Sequence, residues 1–166
     1  ISAPPFGGKV KHEGGSKSRS AYRVALEQVI DRLASGGRAV ILVPESMVFD
    51  QSGLKLRQHL VGEGLISKVV SLPQGVFLPY AWIKTSILVI DKASTSGELE
   101  FIDAAPYASL GAKRSMTLDV DRLIGHLVSD DAPLPRVRVD RRIVLRDEHV
   151  DLSVLHWLGM AEKVGQ

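Results

Sequence analysis

Two prolines and an aromatic residue, Ala3-Pro4-Pro5-Phe6, stand near the start of the chain between Ile1-Ser2 and the pair Gly7-Gly8. Each proline fixes φ and removes a backbone donor, which leaves carbonyl oxygens free to accept hydrogen bonds from a rigid turn. A carbonyl that takes a hydrogen bond from an exocyclic amino group, beside a ring on which the base stacks, suits an extruded adenine. The same tetrapeptide also reads as a stiff turn with one core aromatic. Beyond it, Lys9, Lys11, Lys17 and Arg19, with His12 among them, face a single opposing Glu13. Such cations suit backbone phosphates or else make up a solvated loop. Arg136, Arg138, Arg141, Arg142 and Arg146 form a second basic run near the end.

Other chemistries find less support. The chain has no cysteine, which excludes disulfides, iron-sulfur clusters and thiolate zinc sites. His12, His59, His126, His149 and His156 are scattered without metal-ligand spacing, so no metal site is expected. Glu45, directly after Pro44, is either a cleft carboxylate or, in the favoured reading, a helix-start residue. Tyr80 and Trp82 either meet a base or, again favoured, pack their loop, and Lys84 reads as a strand start. At 166 residues, 45% hydrophobic and 24% charged, the chain can bury one sizeable core. A net charge of +2 tolerates a nucleic-acid partner without indicating one. No apolar stretch is long enough to span a membrane, and no signal peptide precedes the first turn.

The elements that must position these residues alternate. After a Gly- and Ser-rich basic segment without apolar anchors, expected to be ordered only when something binds it, Tyr22, Leu26, Val29, Ile30 and Leu33 recur at helical spacing. Gly36-Gly37 stops that helix. The run Ala39-Val40-Ile41-Leu42-Val43, closed by Pro44, reads as a central strand of a parallel sheet, buried on both faces. Leu56, Leu60 and Val61 mark a short helix, Ile66 to Leu72 a second strand and Ile83 to Ile90 a third. The link between the second and third strands is shorter than the roughly dozen residues of a parallel crossover, so the third is expected to return antiparallel. Leu99 to Asp103 can add a short strand, and Val120, Leu123, Ile124 and Leu127 give another helical pattern.

Several blocks of this pattern resemble the modification (methylation) subunit of type I restriction systems, within the N6-adenine DNA methyltransferases. That family carries Asn-Pro-Pro-Phe or Asn-Pro-Pro-Tyr followed by glycine where this chain has Ala3-Pro4-Pro5-Phe6-Gly7. The similarity continues through Gly36-Gly37-Arg38 to Val43-Pro44 and Leu56-Arg57-Gln58-His59-Leu60. Its most specific part is Leu72-Pro73-Gln74-Gly75-Val76-Phe77 followed by Lys84-Thr85-Ser86-Ile87-Leu88. Phe101-Ile102-Asp103-Ala104 and the segment near Asp151-Leu152 look like the lead-in to a target-recognition region.

The resemblance implies an α/β fold: the C-terminal half of a Rossmann-like S-adenosylmethionine-dependent methyltransferase sheet ending in an antiparallel hairpin. It implies residues 1–95 as the target-base half and 96–166 as an extension leading toward a recognition or assembly region. It further implies S-adenosylmethionine as donor, N6-methyladenine in duplex DNA as product, direct attack by the amino nitrogen without a covalent enzyme intermediate, and a cytoplasmic location. Specificity and restriction subunits are the implied partners. By the same resemblance Pro4 offers a carbonyl and Phe6 a ring to the adenine, while Lys9, Lys11, Lys17 and Arg19 meet phosphates. Ala3 occupies the asparagine position and has no acceptor to offer. The family's Gly-containing donor loop precedes the target-base turn, so the sequence reads as a piece of a longer chain that does not bind the donor well by itself. The alternative is a non-catalytic DNA-binding or assembly subunit that keeps the fold; a nucleotide-binding α/β protein of unrelated function comes third.

Overall fold

The apolar run Ile87 to Ile90 becomes a strand covered on both faces, whereas in Ala39 to Val43, expected to be buried on both, Val40 is 37% exposed. The structure, a computed structural model, describes residues 1, 3, 8–11, 18–111, 115–129 and 135–164. Its elements are β1 (Lys9–Lys11), β2 (Ser18–Ser20), α1 (Ala21–Arg32), β3 (Arg38–Pro44), α2 (Ser46–Phe49), α3 (Leu54–Gly62), β4 (Ile66–Ser71) and β5 (Thr85–Asp91). They continue with β6 (Glu98–Asp103), β7 (Ala108–Leu110), β8 (Met116–Leu118), α4 (Val120–Leu127), β9 (Arg136–Asp140), α5 (Arg141–Arg146) and α6 (Val154–Val164).

A five-stranded mixed sheet runs in the order β3-β5-β4-β6-β9. β5 returns antiparallel to β4, as expected, although its 72–84 connection is as long as a parallel crossover of roughly a dozen residues, and it enters between β4 and β3 rather than beside β4 alone. β3 thus pairs antiparallel with β5, from Arg38 opposite Asp91 to Pro44 opposite Thr85, and not with a parallel neighbour. Beyond β4 the sheet continues through β6, which is parallel to it, and β9, which is antiparallel to β6.

Alternation along the strands divides two cores. Ile41, Val43, Val69, Leu88, Ile90, Leu99 and Phe101 join a cluster with Tyr22, Leu26 and Ile30 of α1, Leu56 and Leu60 of α3, and Trp157 of α6. On this side the Phe101 and Trp157 rings stack with centroids 5.7 Å apart. Val70 and Ile102, with Leu42 and Ile87 packed against them, join a second cluster with Leu72, Tyr107 and Leu123. Covering both faces removes the polar positions that a half-exposed strand would show, so the centre of β5, Ile87 to Ile90, reads as an unbroken apolar run.

The second basic run serves this sheet. Arg136 and Arg138 sit on β9 and reach Glu100 of β6, at 3.2 and 3.5 Å, while Lys68 of β4 pairs with the same carboxylate from the other side. Glu100 is 4% exposed. Arg142 pairs with Asp140, and Arg141 donates to the Ser96 carbonyl. Burial alone would raise the Glu100 pKa, but the hydrogen bond and charge of Lys68, with Arg138 and Arg136, outweigh it and hold the carboxyl below its ordinary value. A lowered folded-state pKa gives stability that is present above the unfolded value and is lost as pH falls through the folded one. Urea midpoints should therefore fall on acidification from about pH 5 downward. Glu100→Gln should flatten that acid limb and cost about 3 kcal/mol at neutral pH, because three cations keep a neutral partner.

Candidate functional site

Pro44 ends β3 at the same edge where Ser71 ends β4, and between them Thr85 begins β5. This is the carboxyl edge of the two like-directed strands, where open α/β sheets hold ligands. Pro44 cannot continue the ladder as a donor, and the chain turns through Glu45 into α2. The Glu45 amide donates to the Lys84 carbonyl at 2.9 Å. Its carboxylate accepts from the Ser86 hydroxyl at 2.6 Å and lies 3.3 Å from the Lys84 ammonium. The sequence reading of Glu45 as a helix-start residue is right about its place. Its side chain, however, makes no cap hydrogen bond to α2 and is turned to β5 instead.

The loop from β4 to β5 rises from this edge. Gly75, at φ +94°, makes a turn that L side chains rarely adopt, and its carbonyl accepts from the amides of Leu78 and Met116. Val76 and Phe77 pack against the second core, so the loop is anchored at its outgoing arm. The Tyr80 and Ala81 amides then close a turn onto the Phe77 carbonyl at 2.8 and 3.0 Å. Two large aromatics follow without cover: Tyr80 is 95% exposed and Trp82 55% exposed. The favoured sequence reading, loop packing, is corrected for both; Phe77 does the packing and leaves the other two to solvent. No pattern in the sequence distinguishes these roles, since which aromatic turns inward depends on the turn at Gly75.

Of the residues singled out from the sequence, Ala3 is exposed, while Pro4, Pro5, Phe6 and Lys17 lie outside the described residues. Lys9 is exposed on β1, and Lys11 and Arg19 belong to β1 and β2. These two strands form a short antiparallel hairpin with Lys9 opposite Ser20. The Gly8 carbonyl also accepts from the Ala21 amide at the start of α1, which ties the hairpin to the fold. His126 receives a partner that the sequence does not indicate, the Tyr107 hydroxyl at 2.5 Å.

The described residues do not fit S-adenosylmethionine. Gly36 and Gly64, with φ of +72° and +69°, both lie in helix-to-strand turns at the opposite edge of the sheet. The described turn from β3 into α2 contains proline and glutamate, with no glycine to let a donor approach the backbone. Among the described residues no helix is long and apolar enough to cross a membrane.

Comparison with known proteins adds to this geometry. A family model described as N-6 DNA Methylase matches residues 8–123. The Type I restriction enzyme EcoEI methylase subunit of Escherichia coli is 32% identical over 111 residues, covering 62% of this chain. The chain spans 22% of that subunit's length. The type I restriction-modification system methyltransferase subunit of Streptococcus thermophilus has a similar fold, with a TM-score of 0.71 and 20% identity over 90% of this chain and 36% of its own. A chain of a type I R-M system gives a TM-score of 0.70 at 17% identity, over 98% of this chain and 41% of its own. The mixed α/β fold is thus shared with these solved structures. The blocks from Gly36 to Pro44, from Leu56 to Leu60 and from Leu72 to Leu88 lie inside the matched residues, which make up most of the chain, and the chain belongs to the N-6 DNA methylase family.

Proposed function

We propose that this chain is the target-base part of an enzyme that transfers a methyl group from S-adenosylmethionine to N6 of adenine in duplex DNA. The observation that carries the reading is the exposed pair Tyr80 and Trp82, raised at the carboxyl edge of β3 and β4 in a member of the N-6 DNA methylase family. An extruded base loses its stacking neighbours, and exposed rings on an anchored loop replace them. Pro4 would accept from the adenine amino group and Phe6 would add a ring, with Pro5 keeping the turn rigid. Lys9, Lys11, Lys17 and Arg19 would neutralise phosphates beside the displaced base. S-adenosylmethionine supplies the methyl group; because the described residues do not fit it, its part in the reaction is not assigned to them. Specificity and restriction subunits are the proposed partners, and the cytoplasm is the proposed location.

Ala3 favours a second reading, a non-catalytic subunit that binds DNA or assembles a complex on the same fold. The two separate in one assay. The complete protein, with its partner subunits and DNA free of N6-methyladenine, is given labelled S-adenosylmethionine. Transfer should occur, and Tyr80→Ala with Trp82→Ala should lose about 1–3 kcal/mol per base contact, or roughly 5- to 150-fold in rate. DNA binding with no transfer by the wild-type protein would establish the second reading instead.

A further inference from the structure

We propose that Glu45 is a positioning residue: with Ser86 and Lys84 it clamps the return arm of the loop, so that Tyr80 and Trp82 stand as a fixed surface for the extruded base. The inference rests on the adenine-methyltransferase reading and deepens it. The outgoing arm of the loop is held by burial, through Val76 and Phe77. The aromatics come after that anchor and are not buried, so their placement depends on the backbone on both sides of them. Past Trp82, the Glu45 amide binds the Lys84 carbonyl, and the Glu45 carboxylate holds both the Lys84 ammonium and the Ser86 hydroxyl.

Three features separate this arrangement from an incidental surface pair. Glu45 comes from a different element, 41 residues away from Ser86. It stands just past the last ladder pair, Pro44 with Thr85, and so extends the β3 to β5 link toward the loop. Its carboxylate forgoes the amides of α2, where an acidic group at a helix start would ordinarily be favoured. The Lys84 and Glu45 side chains are 31% and 18% exposed, so the charge-assisted contact is partly shielded from water. Tethering both arms narrows the motion of the two rings between them, and pre-set placement matters because a misplacement of about 1 Å can cost a hundredfold in rate.

These 166 residues contain two tryptophans, and the other, Trp157, is 4% exposed, so within them collisional quenching by acrylamide reports chiefly on Trp82. In the complete protein, Glu45→Ala should raise the acrylamide quenching of Trp82, taken as the signal lost in Trp82→Phe, and lower its anisotropy while the far-UV circular dichroism stays unchanged. Its kcat for methyl transfer should fall about tenfold, with KM for unmethylated DNA held within about twofold. Glu45→Gln keeps an acceptor for Ser86 and should recover part of both signals. Unchanged Trp82 quenching in Glu45→Ala would overturn the clamp. Looser quenching with unchanged kcat in an active enzyme would overturn its positioning role. A wild-type protein that transfers no methyl group would refute the functional reading on which the positioning role depends, whereas the quenching result still decides whether the clamp exists.

Discussion

Arg57→Met should destabilise the fold by about 4 kcal/mol, read as a drop in the urea midpoint. Arg57 is fully buried on α3, at 0% exposure, and its guanidinium reaches four backbone carbonyls. Nε donates to Val150 at 2.9 Å, Nη1 to Met47 at 2.9 Å and Asp50 at 2.8 Å, and Nη2 to His149 at 2.7 Å. Met47 and Asp50 lie at the entry to α3 after β3, whereas His149 and Val150 lie before α6. One side chain therefore ties the strand-edge turn to the C-terminal segment. Burial lowers the Arg57 pKa, opposed by the charges of Asp151, Asp50 and Asp147. Methionine fills similar volume but leaves the carbonyls without these donors, including that of Val150, which is held at φ +45°.

Lysine should not rescue the site, because one ammonium cannot reproduce a planar fork with donors on three nitrogens. The neighbouring Gly53 is part of the same fit. A Cβ there would lie 2.6 Å from Arg57 Nη1 and 2.9 Å from the Met47 carbonyl. The control is Arg142→Met, which removes an exposed pair with Asp140 and should leave the midpoint unmoved. Equal midpoints for Arg57→Met and wild type would show that the carbonyls find other donors.

Periodicity was enough to place much of this fold. α1, α3, β3, β4 and β5 all follow from the spacing of apolar residues and the positions of glycine and proline, whereas the direction of β5, expected from a link read as short, does not follow from the 72–84 connection. Its place between β3 and β4 does not follow from spacing either, because strand order is set by pairing across distant segments. β9 was hidden for a different reason: its alternating Arg136 and Arg138 resemble a solvated charge run until Glu100 appears opposite them. Arg57 was hidden likewise, in a helix whose neighbours Gln58 and His59 are exposed. At the candidate site, the block from Leu72 to Phe77 was legible as a motif, but Tyr80 and Trp82 required the turn geometry. Glu45 was visible as the residue after Pro44; its contact with Ser86 depends on the β3 to β5 register.

Ala3→Asn should raise the rate of adenine methylation about a hundredfold, close to 3 kcal/mol of transition-state stabilisation. On the proposed reading, the Pro4 carbonyl accepts one hydrogen bond from the adenine amino group and the position before it offers nothing. As the amino nitrogen attacks, positive charge grows on it and its hydrogens become stronger donors. An acceptor placed there gains more in the transition state than in the bound substrate, which raises kcat rather than lowering KM alone. An asparagine amide oxygen supplies such an acceptor; the alanine methyl group does not.

The direct measurement is recovery of N6-methyladenine, by digestion and chromatography, from DNA incubated with labelled S-adenosylmethionine and the complete protein with its partners. The predicted result is labelled N6-methyladenine from the wild-type protein and about a hundredfold faster labelling by Ala3→Asn. DNA bound by both proteins with no labelled N6-methyladenine from either would contradict the assignment of this chain to the target-base side of an adenine methyltransferase.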